Sequence, residues 1–232
     1  MRIARWARLL VAATAVCVVA SPVAQASPPD GKLVPASKRL GGMTAGQLLG
    51  EETRLLLELP AAVNPLAGKG ESCFAAGRVL IVWTRVAGQP PADCVVKPGT
   101  PVFLFGGWVF CDEVEAPPFF AIGEEAQQAC ALEGLRTLPE VQFDAILVTV
   151  DGGTPVDIGV DRFLAVSPQG TAQLPAGNIF GIAPRETTFA TAGYVAMLRP
   201  LRPGEHTITV EIVGGPFGGT ATSATITVRP GA

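Results

Sequence analysis

Residues 206–228 read HTITVEIVGGPFGGTATSATITV, and this stretch decides the fold class. Over residues 206–213, polar and apolar side chains alternate, which is typical of a β-strand with one buried face. A glycine-rich turn follows, and the alternation resumes over residues 223–228. The stretch therefore predicts two half-buried strands separated by a turn.

Further short apolar runs lie between turn signals upstream of this stretch. They predict strands at residues 78–85, 101–110, 145–150, 163–166, 171–174 and 189–198. The run PVFLFGGWVF at 101–110 is apolar on both faces, which is typical of a buried central strand. Its Gly106-Gly107 pair indicates a β-bulge or a close backbone approach. Many short strands between turns favour a β-sandwich, immunoglobulin-like or jelly-roll-like.

Two helices interrupt this β pattern. Thr44 and Gln47 have the spacing of a capping box, and leucines recur after them at helical spacing until Pro60. A second helix is predicted over residues 123–138, because acidic residues occupy its first turn and Pro139 ends it. The predicted fold is therefore mainly β, with one N-terminal helix and one inserted helix.

The N-terminus has the three-part layout of a secretory signal peptide. Three arginines precede an uncharged apolar run of 12 residues, and Ala24-Gln25-Ala26 places small residues where a signal peptidase reads them. A membrane-spanning helix would need about 20 apolar residues. We therefore expect residues 1–26 to be cleaved, residues 27–42 to be a flexible lead-in, and residues 43–232 to form one β-rich domain. The expected location is extracellular, without a membrane anchor.

The charge balance excludes some classes of partner. Of 17 basic residues, three lie in the predicted signal, so that 14 remain against 20 acidic residues. No run of Lys or Arg is present in that remainder. Nucleic-acid binding requires a basic patch, so nucleic acid is not an expected partner. The excess of acidic over basic residues also argues against an anionic membrane surface as the target.

Four cysteines remain beyond the predicted signal: Cys73, Cys94, Cys111 and Cys130. An even number in an exported chain predicts two disulfides, for which three pairings are possible. The pairing Cys73–Cys94 with Cys111–Cys130 is favoured because each bond joins neighbouring segments. Each closed loop would contribute about 3 kcal/mol in the chain-entropy model. No C-x-x-C spacing is present, so a zinc site is not predicted.

The carboxylates are the remaining chemical resource. Asp112, Glu113 and Glu115 cluster after the central strand, and Asp151 and Asp157 lie in a turn region. Two such groups could form a glycosidase pair or a Ca²⁺ site, although the D-x-D-x-D-G calcium loop is absent. Their position in turns favours solvated side chains. Sequence spacing does not decide whether they converge.

Other candidate residues have plain structural interpretations. No serine lies in a G-x-S-x-G motif, and the single histidine, His206, is interpreted as a locally bonded residue at a strand edge. Trp83 and Trp108 are interpreted as core residues, with sugar stacking on Trp108 as the alternative. The pair Phe119-Phe120 is interpreted as packed under the second helix rather than as an interaction patch.

Two sequence patterns carry a family resemblance. Cys-x-x-x-Pro-Gly occupies residues 94–99, upstream of Cys111, and Pro-Gly-Glu-His-Thr-Ile occupies residues 203–208. Over roughly residues 44–228, the chain resembles an uncharacterised family of secreted bacterial proteins, and this resemblance implies no activity. The residues before His206 are also similar to the last strands of immunoglobulin-like sandwiches, which is a likeness of fold alone.

Two functions are compatible with these patterns. The first is a binding or structural module for an extracellular ligand or protein, which fits the fold and the missing nucleophile. The second is a secreted hydrolase that acts on glycans or other polymers through carboxylates near Asp112 or Asp157. The first is favoured, and the sequence does not decide whether the chain is an enzyme.

Cleavage after Ala26 predicts that the exported protein begins at Ser27. Intact-mass spectrometry of protein recovered from the culture medium checks this prediction. A mass that still includes residues 23–26 would contradict it.

Overall fold

The computed structural model describes residues 32–86 and 91–231, so that the predicted signal peptide lies outside the described residues. Helix α1 spans Ala45–Leu57 and helix α2 spans Glu124–Thr137. Short 3₁₀ segments lie at Ala61–Val63, Pro65–Ala67, Pro139–Val141 and Asp161–Phe163. Over the described ranges, no helix has both the length and the apolar character that a membrane span requires.

The described strands are numbered in chain order. They are β1 (Leu33–Val34), β2 (Arg39–Leu40), β3 (Met43–Thr44), β4 (Cys73–Ala76), β5 (Val79–Val82), β6 (Arg85–Val86), β7 (Ala92–Val96), β8 (Val102–Asp112), β9 (Ala145–Val150), β10 (Val156–Asp157), β11 (Leu164–Val166), β12 (Gly170–Leu174), β13 (Arg185–Leu198), β14 (Gly204–Val213) and β15 (Ala221–Val228).

The first sheet is built around β13. Strand β8 lies along one edge of β13, and β1, β11 and β12 share its other edge. Strand β5 runs parallel to β8 and pairs with it only at Val102 and Phe103, and β4 completes the sheet. Between Leu104 and Cys111, the second edge of β8 therefore has no strand partner in the part of the chain that the structure describes.

The second sheet has the order β10-β9-β14-β15, and β6 and β7 both pair with β15. Residues 78–85 were predicted as one strand, and this prediction is wrong. The segment divides into β5 in the first sheet and β6 in the second, and the chain crosses between the sheets at Trp83 and Thr84. The sequence pattern hides the division because the apolar run continues through the crossing.

One buried cluster joins the two sheets face to face. Its fully buried members include Val102, Leu104 and Ala196 from the first sheet and Ile146, Ile208 and Ile226 from the second. Burying one such aliphatic side chain contributes about 1.5–3 kcal/mol. The mainly β fold with two helices is confirmed. The immunoglobulin-like and jelly-roll-like topologies remain predictions.

Helix α1 covers the outer face of the first sheet. The predicted capping box at its start is present: Thr44 Oγ1 accepts a hydrogen bond from the Gln47 N–H (3.1 Å), and Gln47 Oε1 accepts one from the Thr44 N–H (2.9 Å). Leu48 and Leu49 are fully buried in a cluster with Phe103. Helix α2 instead packs on the inward face of the far half of β8 and β13.

Strand β8 changes its alternation at the predicted bulge. Phe105 pairs with Val195 and Gly107 pairs with Tyr194, so that Gly106 is the extra residue. A Cβ atom on Gly106 would overlap Cγ2 of Ile146 on the second sheet. The bulge and the close approach are therefore both present, and only glycine fits at this position.

Part of the predicted lead-in belongs to the domain. Leu33 and Val34 are buried and pair with Leu198 and Met197 on β13. Leu33 joins the cluster between the sheets, and Val34 joins the cluster under α1. The prediction of a flexible lead-in over residues 27–42 is wrong for this pair, because two apolar residues among prolines and charges complete both clusters.

Both predicted disulfides are present. Cys73 lies on β4 in the first sheet and Cys94 on β7 in the second, so that this bond joins the two sheets. The bond between Cys111 and Cys130 joins β8 to α2. Each disulfide therefore connects two packed layers.

The bulge predicts effects of different size for two neighbouring substitutions. Gly106→Ala should lower the free energy of unfolding by about 1–3 kcal/mol, because the new methyl group overpacks against Ile146. Gly107→Ala should change it by less than about 1 kcal/mol, because its Cβ would lie 3.5 Å from Ile146 Cδ1, an ordinary contact. Urea unfolding of both variants measures the difference. Equal losses would contradict the bulge geometry.

Candidate functional site

An open cleft of about 560 Å³ lies beside the unpaired edge of β8. Gly106 and Gly107 line it on the first sheet, and Val210, Ile212 and Thr222 line it on the second. The cleft exists because β5 ends at Val82 and the chain then crosses to the other sheet, which leaves this edge of β8 without a neighbouring strand.

Aromatic side chains supply much of the lining. Trp83, Phe105 and Trp108 lie on one side, and Phe143 and Phe217 complete the set. The Trp83 ring centroid is 4.6 Å from that of Phe105 and 6.3 Å from that of Trp108. Trp83 and Trp108 pack edge against face, and the Phe105 ring is tilted by 53° to that of Trp83. The three rings therefore pack against one another and form one wall of the cleft.

Apolar surface remains open to solvent at this site. Phe217 is 51% exposed and Leu66 is 43% exposed, and both line the cleft. Large apolar side chains that cluster in a concave and exposed position are typical of interaction sites. The arrangement is therefore suited to hold an apolar group.

Few polar groups line the cleft. Thr222 Oγ1 donates to Thr84 Oγ1 at 2.7 Å. Arg85 donates to three oxygens on the neighbouring loop, from Nε to Ser72 Oγ (2.9 Å), from Nη1 to the Gly68 carbonyl (3.3 Å) and from Nη2 to the Gly70 carbonyl. None of the lining residues is an aspartate, glutamate, serine, cysteine or histidine. The cleft therefore lacks the usual acids, bases and nucleophiles, and its geometry supports binding.

Trp108 is neither fully buried nor part of a flat platform. Its ring plane is inclined by 72° to that of Trp83 and by 64° to that of Phe105. The side chain is half-buried, packs against its aromatic neighbours and lines the cleft.

Asp112 is fully buried at the end of β8. Its Oδ1 accepts hydrogen bonds from the N–H groups of Val114 and Glu115, both at 2.8 Å. Its Oδ2 is buried and has no hydrogen-bond partner among the described residues. The prediction of a solvated side chain is wrong for Asp112, because the following residues fold back over the carboxylate and cap the strand end.

The neighbours of Asp112 converge on the same turn. Glu113 Oε1 accepts a hydrogen bond from the Thr188 N–H at 3.2 Å. Burial, and then the charge of Asp112, raises the pKa of Glu115 to about 7. Burial likewise raises the pKa of Asp112. The turn therefore holds three carboxyl groups close together, two of which resist ionisation.

Asp151 makes a different set of contacts. Its Oδ2 lies 3.1 Å from Lys32 Nζ and 2.9 Å from His206 Nδ1, and its Oδ1 accepts from the Thr207 N–H. Burial opposes ionisation, but the hydrogen bonds from His206, Lys32 and Thr207 outweigh it and lower the pKa of Asp151. His206 Nε2 also lies 2.8 Å from the Arg202 carbonyl oxygen. The local bond predicted for His206 is therefore present, to Arg202, and the side chain also contacts Asp151 from a distant segment.

Asp157 forms hydrogen bonds within its own hairpin. Its Oδ1 accepts hydrogen bonds from the N–H groups of Ile146 (3.1 Å) and Gly159 (2.8 Å). Asp157 pairs with Leu147 on the neighbouring strand. Leu147 precedes Asp151 by four residues, and this separation corresponds to about 13 Å along a strand. The two aspartates therefore do not form a joint site. Over residues 32–86 and 91–231, no group of three or more His, Cys, Asp or Glu side chains is arranged to hold a metal ion.

The two adjacent phenylalanines that follow Pro117-Pro118 differ in their burial. Phe119 packs against the cluster under α2, as predicted, whereas Phe120 is 44% exposed. Neither residue lines the cleft.

Sequence reasoning missed most of the cleft residues. Leu66, Arg85, Phe143 and Phe217 come from four separate segments that only the tertiary fold brings together. One local signal was available, because Phe217 is an aromatic residue inside a glycine-rich turn, where a buried role is not expected. Comparison with protein-family models, with curated proteins and with solved structures finds no match for this chain.

The Glu115 carboxyl predicts a specific pH dependence of stability. Because its pKa in the folded protein is about 7, the folded state holds this proton more tightly than the unfolded state. Stability should therefore fall as the pH rises from the ordinary glutamate value to about 7. Glu115→Gln should reduce this loss, and thermal unfolding midpoints between about pH 5 and pH 8 measure it.

Glu133→Gln provides the matched control, because Glu133 is exposed on α2. Its pH profile should follow that of the unmodified protein. A profile of Glu115→Gln that coincides with that of Glu133→Gln would contradict the assignment.

Proposed function

We propose that the protein is an exported binding module whose cleft holds a small, largely apolar ligand. The observation that carries the proposal is the open cleft of about 560 Å³, which five aromatic side chains line and from which carboxylates are absent. Small-molecule sites commonly have volumes of about 300–1,000 Å³ and a mainly apolar lining with a few polar groups. The cleft fits this description in size and in chemistry.

The energetics of burial favour occupancy. Each methylene group that leaves water for an apolar site contributes about 0.8 kcal/mol. A bound ligand would also cover the half-exposed ring of Phe217 and the partly buried rings of Trp83 and Trp108. A ligand of moderate size therefore gains from its own surface and from that of the protein.

The framework around the cleft suits an extracellular module. Two disulfides connect the packed layers, and such bonds persist in oxidising compartments. Aromatic rings that already pack against one another lose less entropy when a ligand orders the site. Export by the predicted signal peptide is part of this proposal.

A hydrolase is the second candidate, and one observation favours it. Glu115 has a pKa of about 7 beside Asp112, which suits a general acid or base at neutral pH. A two-carboxylate mechanism requires both groups to reach the substrate, and Asp112 is fully buried. Turnover of a glycan panel that Glu115→Gln abolishes, and Glu133→Gln retains, would support the hydrolase.

Intrinsic fluorescence tests the binding module directly. Of the three tryptophans in the sequence, Trp6 lies in the predicted signal peptide, and the two in the exported protein, Trp83 and Trp108, both line the cleft. The neutral probe N-phenylnaphthylamine should therefore quench their emission and gain fluorescence itself, with saturation. The dissociation constant follows from a titration.

A matched pair of variants locates the probe. Phe217→Ala should weaken binding about five- to thirty-fold, which corresponds to the loss of about 1–2 kcal/mol of apolar contact. Phe120→Ala removes an equally exposed ring that lies outside the cleft, and it should leave the affinity unchanged. Absence of saturable binding, or equal effects of the two substitutions, would refute the proposed function.

A further inference from the structure

Arg85 is the single charged side chain among the residues that line the cleft. It begins β6, directly after the chain crosses between the sheets, and it is half-buried. An isolated charge in a largely apolar wall is costly unless it is compensated. Its surroundings therefore indicate what the cleft is built to receive.

The oxygens that hold Arg85 in place are all uncharged. Its three hydrogen bonds go to the hydroxyl of Ser72 and to the carbonyls of Gly68 and Gly70. A guanidinium group has five N–H donors. Two of them, one on each Nη, therefore make no hydrogen bond to the described residues.

No carboxylate of the described residues forms an ion pair with Arg85. Glu71 and Asp93 line a second hollow that also includes Arg85, but both are exposed to solvent. The positive charge at the cleft is thus held by neutral groups and keeps two donors for a further partner.

We propose that the natural ligand of the cleft is a long-chain carboxylate. Its apolar chain lies against Trp83, Phe143 and Phe217, and its carboxylate accepts hydrogen bonds from the two remaining N–H groups of Arg85. The remaining donors, one on each Nη, can each meet a carboxylate oxygen, and such charge-assisted bonds are stronger than neutral ones. This inference rests on the proposed function, because it specifies the ligand of the same cleft.

Displacement of N-phenylnaphthylamine by two compounds of equal chain length tests the ligand class. Dodecanoate carries the anionic head group, and dodecanol has the same chain without charge. In the exported protein, dodecanoate should displace the probe at a concentration about ten-fold lower than dodecanol, since hydrogen bonds to a charged group add about 1.4 kcal/mol or more. The preference should shrink as NaCl is raised, because salt screens the charge.

Two substitutions assign the preference to Arg85. Arg85→Met should remove the preference while dodecanol still displaces the probe, and Arg85→Lys should retain part of it. Circular dichroism checks that both variants remain folded. The effect of NaCl on the preference for dodecanoate is measured in the protein that retains Arg85. This measurement therefore decides the question if Arg85→Met does not fold.

The outcomes separate the two proposals. Equal displacement by dodecanoate and dodecanol, at low and high salt, overturns the assignment of a carboxylate ligand. The proposal of a module that binds an apolar ligand is not affected by this outcome. A preference for dodecanoate that survives in Arg85→Met also overturns it. Failure of the neutral probe to bind at all refutes the proposed function and this inference with it.

Discussion

The extra residue at Gly106 is the constraint on which the rest of the structure depends. Leu104 and Val109 are five residues apart, so that a regular strand would place them on opposite faces. Because the register shifts between them, both point inward, Leu104 towards the second sheet and Val109 towards α2. One face of β8 thus serves two different partners. The missing side chain at Gly106 also allows Ile146 of the second sheet to approach.

The cleft and its charge follow from the way the layers are joined. Where β8 of the first sheet has no neighbouring strand, aromatic rings line the gap, and Arg85 lies beside it at the start of β6. The position of Arg85 depends on Ser72, which is buried and directly precedes Cys73. The Cys73–Cys94 disulfide ties this point to the second sheet. The covalent bond that joins the sheets therefore also fixes the loop that orients the guanidinium.

Features that depend on local sequence could be predicted, and features that depend on distant partners could not. The capping box at Thr44, the glycine bulge and both disulfides were predicted from spacing and are present. The division of residues 78–85 between two sheets was missed, because an apolar run does not show which strand pairs with which part of it. The burial of Asp112 was missed for a related reason: it depends on the backbone of the residues that follow, which fold back over the carboxylate. The cleft was missed because its residues come from separate segments.

The distribution of charge supports the proposed binding at the cleft. The carboxyl groups singled out in the sequence lie outside it: Asp112 is enclosed at the end of β8, and Asp151 and Asp157 are occupied by hydrogen bonds within the framework. Beyond the predicted signal the chain is acidic, with 14 basic and 20 acidic residues, so that its general field repels anions. Screening at physiological salt limits this field to about 8 Å. A negative ligand that reaches the cleft therefore meets the local charge of Arg85, and the apolar lining supplies the affinity that the field of the whole protein does not.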